Sequence, residues 1–445
     1  MSEPTTNPEA TSGTTAHSVR SYDVEKASHG LVPNYGEAVI DAEIAALGPA
    51  PDGGRTAWLN VFGGFCIFFS CLGFTSCFGV LQQYYSTHQL KDHSMDQIAW
   101  IGSLANFVQF AGGAIGGPMF DRYGVWMMRP ATLTYVFGLM MVSLCSDYYQ
   151  FFLAQSILMG SSVAFLQFPA FAVMGHYFDK RRAAALGIVV SGSSIGGVIF
   201  PIVLSKLLNN SSLSFGWSIR IVAFIMLPFM VFACFAIKPR IPPRKTTIFI
   251  GEAWKTKQYV LLVAGLFFMM MGIWIPVFYL PVYAVSRGMS PLLASYLLAM
   301  INGSSTFGRI IPGILADKLG GMNMFAFAGI GTSIMVFCIN GPTTNAGIIV
   351  YSIFFGFVSG TIISAGSAAI SKCTKDPRNF GTYVGMGMGV AAFAVLIGPP
   401  INGALIDRYG GFREVSIFSG VMSLMGGLIA LSGKLATMEG IFGKV

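Results

Sequence analysis

The chain has 445 residues, of which 54% are hydrophobic and only 10% are charged. Soluble domains carry about 25% charged residues, so this composition excludes a large soluble protein and indicates a protein that spans a lipid bilayer. The net charge of +8 does not indicate nucleic-acid binding, because the basic residues lie in short loops between apolar runs, where they set membrane topology. We therefore expect the bilayer, and no nucleic acid, as a partner.

The N-terminal stretch, residues 1–55, differs from the rest of the chain. It is rich in Thr, Ser, Ala, Pro and Glu and shows no apolar periodicity, a composition that is typical of disorder. It also lacks the basic start and the apolar segment of a signal peptide. We predict that it is a disordered tail on the cytoplasmic side of the membrane.

Twelve apolar runs follow. A helix needs about 20 apolar residues to cross the hydrocarbon of a bilayer. We predict transmembrane helices over residues 57–81, 98–119, 130–145, 151–174, 183–204, 219–237, 259–285, 291–316, 324–340, 346–370, 381–406 and 415–432. An even number of spans puts both ends of the chain on the same side.

A basic segment divides these helices into two sets of six. It holds six basic residues and one acidic residue, and its prolines stop a helix from running through its start. Other basic residues concentrate in loops on the same side as this segment, which predicts that this side is cytoplasmic. The predicted domains after the tail are a six-helix bundle, a cytoplasmic linker, a second six-helix bundle and a short cytoplasmic tail, over residues 56–237, 238–257, 258–433 and 434–445.

Two overlapping glycosylation sequons follow the fifth predicted helix, with Asn209 and Asn210 as the acceptors. Their loop falls on the side opposite the linker. We therefore predict that Asn209 or Asn210 carries a glycan. The sequon at Asn302 lies inside a predicted helix, so we expect it to stay unmodified.

The second and eighth predicted helices end in related motifs, GGPMFDRYG and PGILADKLG. One offset relates the corresponding residues of the two motifs, and it also pairs Asn106 with Asn302. The glycines allow helices to approach closely, and an aspartate can cap a neighbouring helix end on the cytoplasmic side. We predict that six motif residues form a conformational latch: Gly117, Asp121, Arg122, Gly313, Asp317 and Lys318.

Two related six-helix bundles are typical of major facilitator carriers. The predicted fold class is therefore an all-α membrane protein with twelve transmembrane helices in two six-helix bundles. The sequence shows no nucleotide-binding loop, metal cluster or nucleophile–histidine arrangement, so we expect no cofactor, no metal and no enzyme activity. We expect a monomer with a small-molecule substrate, in the plasma membrane or, alternatively, in a vacuolar or other internal membrane.

Three stretches narrow the expected family: PDGG with Trp58 before helix 1, YFDKRR before helix 5, and GRIIPG in helix 8. Together they resemble the monocarboxylate porter family, especially its fungal members, over residues 52–431. The first motif departs from the family pattern, since Arg55 and Thr56 stand where an aromatic residue is expected. The resemblance implies a secondary transporter of a small organic anion, such as a monocarboxylate, or of a related metabolite, working by alternating access.

Two charges that the family's proton-coupled acid carriers use are absent. The resemblance places the expected lysine of helix 1 at Ser76 and the expected aspartate of helix 8 at Ser305. Fungal members of the family also include carriers of larger neutral solutes and exporters of secondary products, so this alternative stays open. A non-transporting nutrient sensor is a third alternative, although the linker and the tail are short for a signalling extension.

Arg309 is the basic residue that lies deep inside a predicted span, where a charge costs about 2.5–3.5 kcal/mol on insertion scales. It is either an anion-binding group that uses its bidentate fork or a structural residue bonded to backbone carbonyls. Polar and aromatic side chains on the predicted helices can line the same cavity, although each can also bridge neighbouring helices. The predicted substrate-binding residues are Arg309, Asn302, Ser305, Asn106, Gln167, Tyr279 and Tyr283.

Overall fold

Helices account for most of the chain in the computed structural model, which describes residues 48–209, 212–243, 249–374 and 376–435. No strand occurs among these residues. Four parts of the predicted organisation lie outside the described residues: residues 1–47 of the predicted disordered tail, the predicted glycan acceptor Asn210, residues 244–248 of the linker and residues 436–445 of the C-terminal tail.

Six membrane-crossing helices form the first half of the described chain and six form the second half. The first half consists of α1 (Arg55–Thr87), α2 (segments Met95–Ala111 and Gly113–Tyr123), α3 (Met128–Val142), α4 (Tyr148–Tyr177), α5 (Arg182–Asn209) and α6 (Phe215–Ala236). The second half consists of α7 (Lys257–Ser286), α8 (Leu297–Leu319), α9 (Gly321–Phe337), α10 (Asn345–Ser371), α11 (Phe380–Tyr409) and α12 (Arg413–Leu435). The predicted fold class is confirmed.

By length and apolarity alone, ten helical stretches of the described chain can cross a membrane. Two observations raise this number to twelve crossings. One stretch, Gln97–Val142, has 46 residues. At 1.5 Å per residue it would extend about 69 Å, roughly twice the hydrocarbon thickness, so it holds two crossings, α2 and α3. The twelfth helix is α8, which Asn302, Arg309 and Asp317 make more polar than the others.

The contacts of α4 show that the chain reverses between α2 and α3. Along α2, Ser156 donates to the carbonyl of Ile101, and farther along both helices Gly112 packs on Ala164, so α4 and α2 run in parallel. Along α3 the order is opposite, because Gly138 packs on Met159 whereas Thr134 bonds Ser162. Gly124, with a φ of 73°, ends α2 at the turn, a conformation that favours glycine.

The two halves meet through α2 against α11 and through α5 against α8. A Cβ atom on Gly117 would overlap the carbonyl oxygen of Gly381, and one on Gly187 would overlap the carbonyl oxygen of Arg309. Small residues let helix backbones approach this closely. These contacts lie toward the face that carries the α2–α3, α4–α5, α8–α9 and α10–α11 connections, which we call the basic side.

Candidate functional site between the two halves

Asp121 lies near the end of α2 and caps the start of α11. Its Oδ2 atom accepts a hydrogen bond of 2.6 Å from the backbone N–H of Thr382 and another of 2.6 Å from the Thr382 hydroxyl. Asp121 is buried and stands at the positive end of the α11 dipole, where a negative charge is stabilising. The contact joins the first half to the second on the basic side.

Asp317 makes the corresponding contact in the other direction, from α8 to the start of α5. Its Oδ1 and Oδ2 atoms accept hydrogen bonds of 2.9 Å each from the backbone N–H groups of Ala183 and Ala184. Both aspartates of the repeated motif therefore cap a helix of the opposite half. If the halves separated on the basic side, these backbone N–H groups and carboxylates would lose their hydrogen-bond partners.

The remaining predicted latch residues fall into two groups. Gly117 and Gly313 pack against the backbone of the opposite half, as small residues at a close helix contact do. Arg122 and Lys318 are exposed, and Arg122 lies over the ring of its neighbour Tyr123, 5.6 Å from the ring centroid. Neither basic side chain makes an ion pair with the other half in the described part of the chain.

Two further side chains, those of Asp52 and Arg182, make hydrogen bonds at the start of α5, and the sequence did not assign them a role. The Oδ1 atom of Asp52 accepts hydrogen bonds of 2.7, 2.8 and 3.3 Å from the backbone N–H groups of residues 179, 180 and 181. The buried Arg182 donates to the carbonyl of Ser371 at the end of α10, 3.3 Å away. The motifs PDGG and YFDKRR, which are far apart in sequence, are thus in direct contact.

Arg309 is bonded to the opposite half. Its Nη1 atom donates to the carbonyl of Val190, at 2.9 Å, and to the hydroxyl of Ser193, both on α5. Its Nε atom is buried without a hydrogen-bond partner, and no carboxylate of the described residues forms an ion pair with the guanidinium. The side chain therefore links α8 to α5 in this conformation through Nη1, while its Nε and Nη2 groups make no hydrogen bond to another described residue.

Two other predicted residues continue this strip of contacts along α8. Ser305 accepts a hydrogen bond of 3.3 Å from the hydroxyl of Ser194. Asn302 donates to the carbonyl of Gly197 at 3.4 Å and to a carbonyl of its own helix at 3.1 Å. Arg309, Ser305 and Asn302 thus lie together on the face of α8 that meets α5.

Asn106 and Gln167 lie within the first half. Gln167 is fully buried and accepts a hydrogen bond of 2.9 Å from Gln109, which ties α4 to α2, while its Nε2 atom has no partner in the described chain. Asn106 lines a small cavity between α1, α2, α3 and α4. It is half-buried, and its carboxamide makes no hydrogen bond to another described residue.

The two tyrosines of α7 lie apart from the strip on α8. The Tyr283 hydroxyl donates to the carbonyls of Asn340, at 3.2 Å, and Pro342, at 2.9 Å, and its ring packs on Phe412. Tyr279 is half-buried with its hydroxyl beside Gly403 of α11. Tyr283 therefore holds the α9–α10 connection in place, on the side opposite the basic side.

The arrangement provides hydrogen bonds and close packing, and it provides little charge. In the membrane-crossing helices that the structure describes, the acidic residues all lie near helix ends: Asp96, Asp121, Asp317, Asp407 and Glu414. The searched residues include no group of three or more metal-ligating side chains.

A family model described as Major Facilitator Superfamily matches residues 63–343. The chain is 48% identical to the aspyridones efflux protein of Emericella nidulans over 392 residues, covering 88% of this chain and 80% of the relative. It is 37% identical to the agnestins efflux protein of Paecilomyces divaricatus over 420 residues, covering 93% of this chain and 96% of the relative.

Solved structures are similar in fold. The human organic anion transporter superimposes with a TM-score of 0.64 at 14% identity, covering 84% of this chain and 98% of that chain. The fucose:proton symporter of E. coli superimposes with a TM-score of 0.65 at 14% identity, with the same coverage of 84% and 98%.

Proposed function

The chain belongs to the major facilitator superfamily, and on that premise we propose that it exports a secondary metabolite that is uncharged where it binds. It works as a monomer in the plasma membrane, with the basic side in the cytoplasm. Efflux as the direction is supported by relatives of 48% and 37% identity that are named for efflux of such compounds.

The main observation that supports an uncharged substrate is the position of Arg309. A carboxylate substrate would be held best by a guanidinium whose two-pronged face is free. Here Nη1 is bonded to the Val190 carbonyl and the Ser193 hydroxyl of the opposite half. The cation best placed to recognise an anion is thus anchored to α5 through Nη1, and only its Nε–Nη2 edge is left for a ligand.

Transport by this carrier requires the contacts on the basic side to break and re-form. In the present conformation the two aspartate caps are made, so the basic side is closed. Loading from the cytoplasm requires a second conformation in which Asp121 and Asp317 leave the starts of α11 and α5. A substrate can shift this balance only by binding one conformation better than the other.

The second candidate is the carrier of a small organic anion that the resemblance to monocarboxylate porters implies. One observation favours it: the Nε and Nη2 groups of Arg309 have no partner among the described residues and could bond the two oxygens of a carboxylate. Against it, Ser76 and Ser305 stand where the proton-coupled members of that family carry charges.

A flux experiment separates the two candidates. Aspyridones and lactate would be tested as probes with the full chain in proteoliposomes, using wild-type protein, Arg309→Lys and Arg309→Ala, and flux would be normalised to folded protein in the membrane. We expect saturable wild-type flux of aspyridones and none of lactate, and reduced amounts of folded protein in both variants. Lactate flux that is lost in Arg309→Ala, with normal amounts of folded protein, would establish the organic-anion carrier instead.

A further inference from the structure

A small polar cavity, which we call the Tyr135 pocket, lies inside the first half, where α1, α2, α3 and α4 meet. Its volume is about 30 Å³, room for roughly two water molecules. Its polar lining residues are Thr75, Asn106, Gln109, Tyr135 and Gln155, and its apolar walls include the ring of Phe78. None of its lining residues carries a charge.

Three side chains leave hydrogen-bonding groups unused in this pocket. The ring of Tyr135 is 1% exposed, and its hydroxyl has no partner among the described residues. The carboxamide of Asn106 makes no hydrogen bond there either. Gln155 uses its Oε1 atom to accept a bond of 3.0 Å from Tyr85, which leaves its Nε2 atom as a donor. Buried polar groups are rarely left unpaired in proteins.

The pocket opens toward the space between the two halves. Thr75 and Asn106 are the half-buried polar residues of its lining. The next residue in one helix contacts the second half, and the next residue in the other helix lies beside a glycine that the second half contacts. Phe107 packs edge-on against Phe393 of α11, with ring centroids 5.5 Å apart. Ser76 stands beside Gly197, which Asn302 of α8 contacts as well. A molecule between the halves can therefore reach the mouth of the pocket.

We propose that the Tyr135 pocket binds an uncharged oxygen-bearing group of the exported compound, a hydroxyl or a carbonyl attached to a ring. The Tyr135 hydroxyl both donates and accepts, and Asn106 and Gln155 supply amide donors, so they match such an oxygen. The ring of the compound lies outside, against Phe78. An ionised group is disfavoured, because it would lose its hydration without meeting a counter-charge. The inference rests on the proposed export function for its substrate.

The substitution Tyr135→Phe tests the pocket with little structural cost. The hydroxyl that it removes has no protein partner, so the variant should be at least as stable as the wild-type protein. Tyr351→Phe is the matched control, because Tyr351 in α10 is also buried with an unpartnered hydroxyl and does not line the pocket. If these hydroxyls have a purely structural role, both variants should show the same small change in stability.

The probes are phenol and toluene, which have the same shape and differ in the hydroxyl. Their binding to the purified full-length protein would be measured by ligand-induced shifts in thermal unfolding, in wild-type protein and in both variants. We expect wild-type protein and Tyr351→Phe to bind phenol about tenfold more tightly than Tyr135→Phe does, the loss of about one hydrogen bond. Toluene should not distinguish the three proteins.

Each outcome has a defined meaning. Equal phenol binding by wild-type protein and Tyr135→Phe, or no difference between phenol and toluene in the wild type, overturns the inference and leaves a pocket that holds water only. The export assay with aspyridones is independent of this result. Export with no phenol discrimination overturns the pocket alone, and phenol discrimination with no export of such compounds overturns the proposed function alone.

Discussion

The substitution Asp317→Asn should open the basic side of the carrier. In the closed conformation the two carboxylate oxygens of Asp317 accept hydrogen bonds of 2.9 Å from the N–H groups of Ala183 and Ala184 in the first turn of α5. An asparagine keeps one carbonyl oxygen and presents an amide N–H₂ group to the other donor. It therefore loses one hydrogen bond and the favourable charge at the start of α5, but only in the closed conformation.

The size of the effect follows from these two losses. A hydrogen bond to a charged group contributes about 1.5–3 kcal/mol, and a carboxylate at a helix N-terminus about 0.3–1 kcal/mol. Since Asp317 is half-buried, solvent screens part of both, so we take about 2 kcal/mol. At 1.4 kcal/mol per factor of ten, the ratio of open to closed carrier should rise about 30-fold.

Distances between spin labels would measure this ratio. Labels at Tyr123 and Leu319, exposed residues at the basic ends of α2 and α8, would be attached in a chain whose seven cysteines have been replaced. Asp317→Asn should increase the population with the longer distance. Lys318→Gln is the control, since Lys318 is exposed and makes no ion pair with the described residues of the other half. An unchanged distribution in Asp317→Asn, or an equal change in Lys318→Gln, would refute the reasoning.

Further predictions concern packing, topology and coupling. Gly117→Ala should shift the carrier strongly toward the open basic side and suppress export, because its methyl group would overlap the backbone of α11; Gly79→Ala, where a Cβ atom meets open space, should export normally. Glycosylation scanning should modify Asn209 or Asn210 and leave a sequon engineered into the linker untouched, and a glycan in the linker would reverse the topology. Export of a compound without a titratable group should continue when a pH gradient is collapsed, because the described helices hold no acidic residue or histidine in mid-span; flux that stops would contradict this.

The fold could be predicted from the sequence because a bilayer leaves a chain few options. Backbone groups in hydrocarbon must be bonded within the segment, so each long apolar run is a helix. The internal repeat also pointed to Asp121 and Asp317 before any coordinates, because glycines and an acid at matching helix ends indicate close packing and capping. The helix that carries Arg309 in its span, α8, is the helix whose polar side chains line the contact with α5.

The partners of these residues were decided by the tertiary structure. Nothing in the sequence indicates that Asp121 bonds Thr382, or that Arg309 bonds Val190 and Ser193, because these pairs are far apart in the chain and meet only when the halves are packed. Tyr283 is one of the predicted substrate-binding residues, and nothing in the sequence indicates that its hydroxyl bonds the α9–α10 connection. In a soluble helix an apolar stripe marks the buried face. In a membrane every face is apolar, so the sequence determines which segments cross and leaves packing between helices to determine which side chains face the substrate.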